Sequence, residues 1–149
     1  MRGGKVKGEM LRVKMLVGIL IIMACVASVF AKNNSEIGVV LGEPSGISGK
    51  YMLSEKTAID GVFGFGSGIM FHCDYLWHDF NALKVNEGQL PLYYGIGALI
   101  SEKNFCVQGK LGLEYLFETN PLGIFIEIAP AVGTDFIFQG GIGVRYRLK

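Results

Sequence analysis

His72, Cys73 and Asp74 stand in a row, and all three side-chain types serve as metal ligands or as members of nucleophilic triads. Convergence of three consecutive residues requires a bent backbone. Here Phe71, Cys73, Tyr75 and Trp77 alternate with His72 and Asp74, a period of two that defines a strand and sends Cys73 to the opposite face. A metal site is therefore not expected, and His72 and Asp74 read as polar side chains of a packed interior. Glu114 and Glu127 could form the carboxylate pair of a glycosidase. Arg145 stands in register to join them, however, and an ion-pair cluster is the better expectation. The glycine-rich residues 61–66 lack the following helix that would make them a phosphate loop, so they read as curved strand. No catalytic, cofactor-binding or metal-binding residue is expected, and no enzyme activity.

These residues need elements to hold them. Residues 105–117 place Phe105, Val107, Leu111, Leu113, Tyr115 and Phe117 on one face and Gln108, Lys110 and Glu114 on the other. The same alternation predicts strands over residues 36–41, 47–53, 58–65, 69–77, 92–100, 123–129 and 136–148. The turns between them are rich in Gly, Pro, Ser and Asn, whose backbone preferences and side-chain hydrogen bonds suit tight reversals. The chain of 149 residues carries 22 glycines and only 4 prolines, which suits many short strands in one domain. The longest connection expected is the polar stretch 78–90. The fold class expected is all-β, an eight-stranded antiparallel up-and-down transmembrane β-barrel of residues 32–149.

The less apolar strand faces collect Glu36, Lys50, Asp60, Asp74, Lys110, Glu114, Glu127, Arg145 and Arg147, with His72. Nearly balanced in sign, they suggest a compensated polar interior, and Lys110, Glu114, Glu127 and Arg145 are expected to form an ionic cluster in the lumen. Tyr51, Tyr75, Trp77, Tyr94, Tyr115 and Tyr146 lie on the apolar faces, toward strand ends that share one side of the barrel. They are expected to form an interfacial aromatic girdle. Alternation alone admits two arrangements. In lipid the apolar faces point outward, whereas a soluble periplasmic, lipocalin-like barrel would turn them inward around an apolar ligand.

The N-terminus bears on this choice. Residues 1–31 read as a secretory signal peptide, with Arg2, Lys5, Lys7, Arg12 and Lys14 before an apolar run over residues 15–30. Val29 and Ala31 supply small residues for cleavage before Lys32. An uncleaved anchor would be a short span, and Ile22-Met23-Ala24-Cys25 loosely resembles a lipobox with Cys25 as acceptor. After cleavage nine of the 14 Lys and Arg remain, with twelve of the 13 Asp and Glu, a net charge of −3. No basic patch points to nucleic acid.

With these strands placed, the segments Gly38-Val39-Val40-Leu41-Gly42-Glu43-Pro44-Ser45-Gly46-Ile47-Ser48-Gly49-Lys50-Tyr51, Leu92-Tyr93-Tyr94-Gly95-Ile96-Gly97-Ala98, Pro121-Leu122-Gly123-Ile124-Phe125-Ile126-Glu127-Ile128-Ala129-Pro130 and Gly140-Gly141-Ile142-Gly143-Val144-Arg145-Tyr146 carry a resemblance. Together they resemble a family of small uncharacterised spirochaete-type outer-membrane β-barrel proteins. The resemblance implies an architecture similar to the OmpA/OmpX eight-stranded transmembrane domain, with no enzyme activity and no cofactor. The sequence ends Arg147-Leu148-Lys149 where the usual ending is aromatic. The function expected is that of a small monomeric barrel in the bacterial outer membrane, structural or surface-interacting, with a side-chain-filled lumen. Its partners would be outer-membrane lipid and the barrel-assembly machinery. Host-factor binding or adhesion would add a host or extracellular protein, which no motif specifies.

Overall fold

The computed structural model describes residues 34–148 and Val17; apart from Val17, the expected signal segment, its cleavage point and Cys25 lie outside the described residues. Eight strands follow in order: β1 (Ser35–Glu43), β2 (Ser45–Met52), β3 (Thr57–Phe65), β4 (Ile69–Asp79), β5 (Leu92–Ser101), β6 (Phe105–Leu116), β7 (Leu122–Val132) and β8 (Phe136–Arg147). Each pairs antiparallel with the next, and β1 pairs with β8 from Glu36↔Arg147 to Glu43↔Gly140, which closes an up-and-down barrel. Closure gives each of the eight described strands a partner on both sides. Burial alternates along the strands, most regularly in β4, where every second residue from Met70 to His78 is buried.

Three boundaries differ by two residues or more from those the sequence suggests. β1 and β2 are separated by Pro44 alone, in place of a four-residue turn over residues 43–46. Ser45 tightens this reversal, its Oγ accepting from Gly42 N at 3.0 Å and donating to Gly42 O at 2.9 Å. β4 runs two residues further, so His78 pairs with Tyr93 and Asp79 with Leu92, and the long connection shrinks to residues 80–91. β7 continues through Pro130 to Val132 instead of ending at Ala129. A proline removes a ladder donor. The β6–β7 pairing tolerates this because it breaks between Gln108↔Ala131 and Leu111↔Ile128, opposite Pro130, while Pro130 keeps its partner Phe138 on β8.

The two ends of the barrel are unequal. The end away from the termini has only Pro44 and short turns at residues 66–68, 102–104 and 133–135. The terminus-bearing end has turns at 53–56 and 117–121 and the longer segment 80–91. Cys73 faces outward from β4, Cys106 is buried on β6, and both are free.

Candidate functional site

The lumen is the site where reactive groups gather. Alternation turns Glu36, Lys50, Asp60, His72, Asp74, Lys110, Glu114, Glu127 and Arg145 inward, and all of them are buried. Cross-strand register sets Glu36 beside Lys50, Lys50 beside Asp60, and Asp60 beside Asp74. The last two are like charges directly opposite each other, which is unfavourable unless a cation intervenes. Lys110 supplies it from across the lumen: its Nζ lies 2.6 Å from Asp60 Oδ2, 2.9 Å from Asp74 Oδ2 and 3.4 Å from Glu127 Oε1.

Arg145 is the second hub. Its Nε donates to Ser48 Oγ at 2.9 Å, and its guanidinium reaches Asp60 at 3.2 Å, Glu114 at 3.6 Å and Glu127 at 3.9 Å. The guanidinium carbon also lies 3.8 Å from the centre of the Phe125 ring, a cation–π stack that covers one face of the fork. Lys50 is the third, holding Glu36 at 2.9 Å and pairing closely with Glu114. Tyr93, Gln108 and His72 stand beside the remaining carboxylate oxygens. Tyr93 Oη donates to Glu127 Oε2 at 2.7 Å, Gln108 Nε2 donates to Asp74 Oδ1 at 2.6 Å, and His72 Nδ1 lies 3.0 Å from Asp74 Oδ2.

The four residues expected to cluster, Lys110, Glu114, Glu127 and Arg145, thus lie in one network. Their shortest contacts are to residues outside that set. Lys110 and Arg145 approach Asp60 of β3 most closely among carboxylates, and Glu114 pairs with Lys50 of β2. Neighbouring strands are legible from chain order, but which side chains meet across a closed lumen depends on barrel curvature. Arg147 is placed differently from expectation: half-buried at the barrel end, it donates to the carbonyls of Phe117 at 2.9 Å and Asn120 at 3.2 Å. The network therefore holds five carboxylates against three permanent cations, not four. Tyr93 follows from the register that sets Leu92 and Tyr94 outward, whereas His78 stands in the stretch that reads as a polar connection. Only the longer β4 turns His78 inward.

Inward glycines make room for the large side chains. A Cβ on Gly112 would run into the Tyr93 ring, one on Gly143 into the Phe125 ring, and one on Gly97 into the Asp74 carboxylate. Above and below the charged zone the lumen is filled with apolar groups. Met70, Leu99, Cys106 and Ala131, with Ile137, pack at the end away from the termini, and Ala58, Leu76 and Tyr93, with Met52, pack toward the other. A narrow crevice of about 10 Å³, reaching from Glu43 and Pro44 at the barrel mouth to His72, Glu127 and Gln139, has room for about one water. A shallow recess of about 140 Å³ opens at the end away from the termini over Met70, Leu99 and Gln139.

The outer wall is the reverse of the lumen. Ile37, Val39, Leu41, Ile47, Phe63, Ile96, Ile126, Ile128 and Ile142 are all exposed on it, and between the strand ends its positions carry no charged residue. A lipocalin-like apolar interior requires these faces inward, and the observed register turns them outward. Cys73 points outward while His72 and Asp74 point inward, which separates the three adjacent ligand types as alternation requires. Tyr51, Tyr75, Trp77, Tyr94, Tyr115 and Tyr146 all face outward at the terminus-bearing end; Trp77 stacks on Tyr94 at 6.0 Å and meets Tyr75 edge-on at 4.8 Å. The other end carries only phenylalanine among its outward aromatics: Phe63, Phe65, Phe71, Phe105, Phe136 and Phe138.

Among solved structures, the chain is similar to the N-terminal β-barrel domain of Pseudomonas aeruginosa OprF, with a TM-score of 0.50 and 16% sequence identity over 76% of this chain and 97% of that one. The fold is that of an outer-membrane-type eight-stranded barrel. No family model and no curated protein matches the sequence.

Proposed function

We propose that the chain is a small monomeric outer-membrane β-barrel with a structural role, sealed by its own side chains. The observation that carries this reading is the inversion of the barrel: a continuous exposed apolar wall around a buried ionic lumen. In water such a wall would far exceed the apolar patches of a few hundred Å² that monomeric proteins expose. In lipid the same wall is solvated, and the charges are kept from the hydrocarbon. The likeness to the OprF barrel domain supports the reading through fold.

The outer-membrane lipid is then the principal partner, with the barrel-assembly machinery inserting the chain after signal-directed export. Export would leave both termini, and with them residues 80–91, on the periplasmic side. The short turns at the other end protrude little, which favours a structural role over adhesion or capture of a host or extracellular protein. The lumen network is proposed as a stabilising plug, with no enzymatic step, and the tyrosines and Trp77 as an interfacial belt.

Density-gradient fractionation of cells, combined with single-channel recording of the refolded protein, tests the reading. The expected result is recovery with the outer membrane, faster migration before boiling than after, and no steady conductance. Recovery as a soluble periplasmic protein, or a large steady conductance, would contradict it.

A further inference from the structure

Outside the strands, the exposed large hydrophobic residues among 34–148 are Leu53, Leu83 and Val85, and all three are at the terminus-bearing end. The turns of the opposite end contain no large apolar residue at positions 66–68, 102–104 or 133–135. Leu53 simply continues the outward alternation of β2. Leu83 and Val85, 42% and 38% exposed, flank Lys84 in the segment 80–91, whose course is fixed at both ends.

The segment starts at the lumen mouth, where Phe80 stacks on the inward His78 with ring centroids 6.1 Å apart. It finishes on the outer wall. There Tyr115 Oη donates to the Glu87 carbonyl at 3.0 Å, and Gln89 bridges to Leu116 as an extension of the sheet. Gly88 has φ +73 and packs so tightly that a Cβ would meet the Leu116 carbonyl at 2.5 Å and the Tyr115 hydroxyl at 3.0 Å, so both its conformation and its space favour glycine. The segment is therefore fastened from outside to the tyrosine-bearing rim.

We infer that residues 81–88 form a foot on the phospholipid leaflet at the terminus-bearing end, with Leu83 and Val85 entering the acyl boundary and Lys84 reaching a headgroup phosphate. The occupant follows from continuity: the segment is joined to the apolar wall at Tyr115, on the rim that also carries Trp77 and Tyr94, the side-chain types that prefer the headgroup level. A lysine between two apolar residues can lay its stem along them and carry its ammonium to the phosphate. The foot would fix the depth of that end in the bilayer. This inference rests on the membrane reading above.

Trp77 is the sole tryptophan, so full-length Trp77→Phe provides a silent background for Val85→Trp and, separately, Leu83→Trp. Each variant is refolded in phosphatidylcholine vesicles with bromine at shallow or deep acyl positions, and insertion is read from the boiled-versus-unboiled gel shift of the same sample. The expected result is blue-shifted emission, quenched more by shallow than by deep bromines and shielded from aqueous iodide. Red-shifted emission, open to iodide and unquenched by bromines in a heat-modifiable sample, would overturn the foot alone. Absence of heat-modifiability in every variant and in the parent would overturn the membrane reading with it.

Discussion

Gly109 and Gly112 lie three residues apart on β6 and face opposite ways. A Cβ at Gly109 meets only a carbonyl 4.0 Å away, whereas one at Gly112 collides with the Tyr93 ring that reaches Glu127. Gly112→Ala should therefore destabilise the barrel by about 1 to 3 kcal/mol, the usual cost of overpacking. Gly109→Ala should be neutral or mildly stabilising, because it restricts only the unfolded chain. Urea unfolding in lipid vesicles checks both; equal losses would show that Tyr93 does not occupy the lumen as described. A second test concerns Lys110, which separates the facing carboxylates of Asp60 and Asp74. Lys110→Ala should cost about 3 to 5 kcal/mol, as expected when one partner of a buried pair is removed. Adding Asp74→Asn should recover part of that loss. Strictly additive losses in this double-mutant cycle would remove the coupling. The identities of the inward charges were legible in the sequence, because a period of two leaves Lys110 or Arg145 only one face to occupy. Their partners were not legible: Lys50 with Glu114, and Lys110 with Asp60, meet across the lumen between strands that share no hydrogen bond. Tyr93 is turned inward by the register that places Leu92 and Tyr94 outward, but its bond to Glu127 crosses from β5 to β7 and was equally illegible.

At the scale of strands, alternation located all eight but misjudged ends where a local signal competed with closure. Pro130 reads as a stop, and β7 passes through it because the ladder toward β6 is already interrupted there. His78 reads as the start of a polar connection, yet β4 needs it to pair with Tyr93. The outward register of β7 gives a direct test. Ile126 pairs with Leu113 on one side and Ile142 on the other, amid a wholly apolar stretch of wall. Ile126→Arg should reduce folding into vesicles by about 2 to 4 kcal/mol, the cost of arginine facing lipid near the midplane. Thr134→Arg, in the turn between β7 and β8, should leave folding unchanged. An equal effect at the two positions would contradict the assignment of the wall to lipid.

For the whole molecule, stability depends on which solvent each surface meets. The lumen is filled by an ionic middle and apolar packing on either side, leaving only a crevice of about one water beside His72 and Gln139. The wall is apolar, rimmed by tyrosine and tryptophan at one end and phenylalanine at the other. Such a molecule should need lipid or detergent to hold its fold. The most direct measurement is the far-ultraviolet circular dichroism and unboiled gel mobility of the full-length chain after dilution from urea into lipid vesicles and, in parallel, into buffer alone. The expected result is a β-sheet spectrum and a heat-modifiable compact band only with lipid, and aggregation in buffer. A monodisperse, folded β-protein in buffer without lipid or detergent would contradict it.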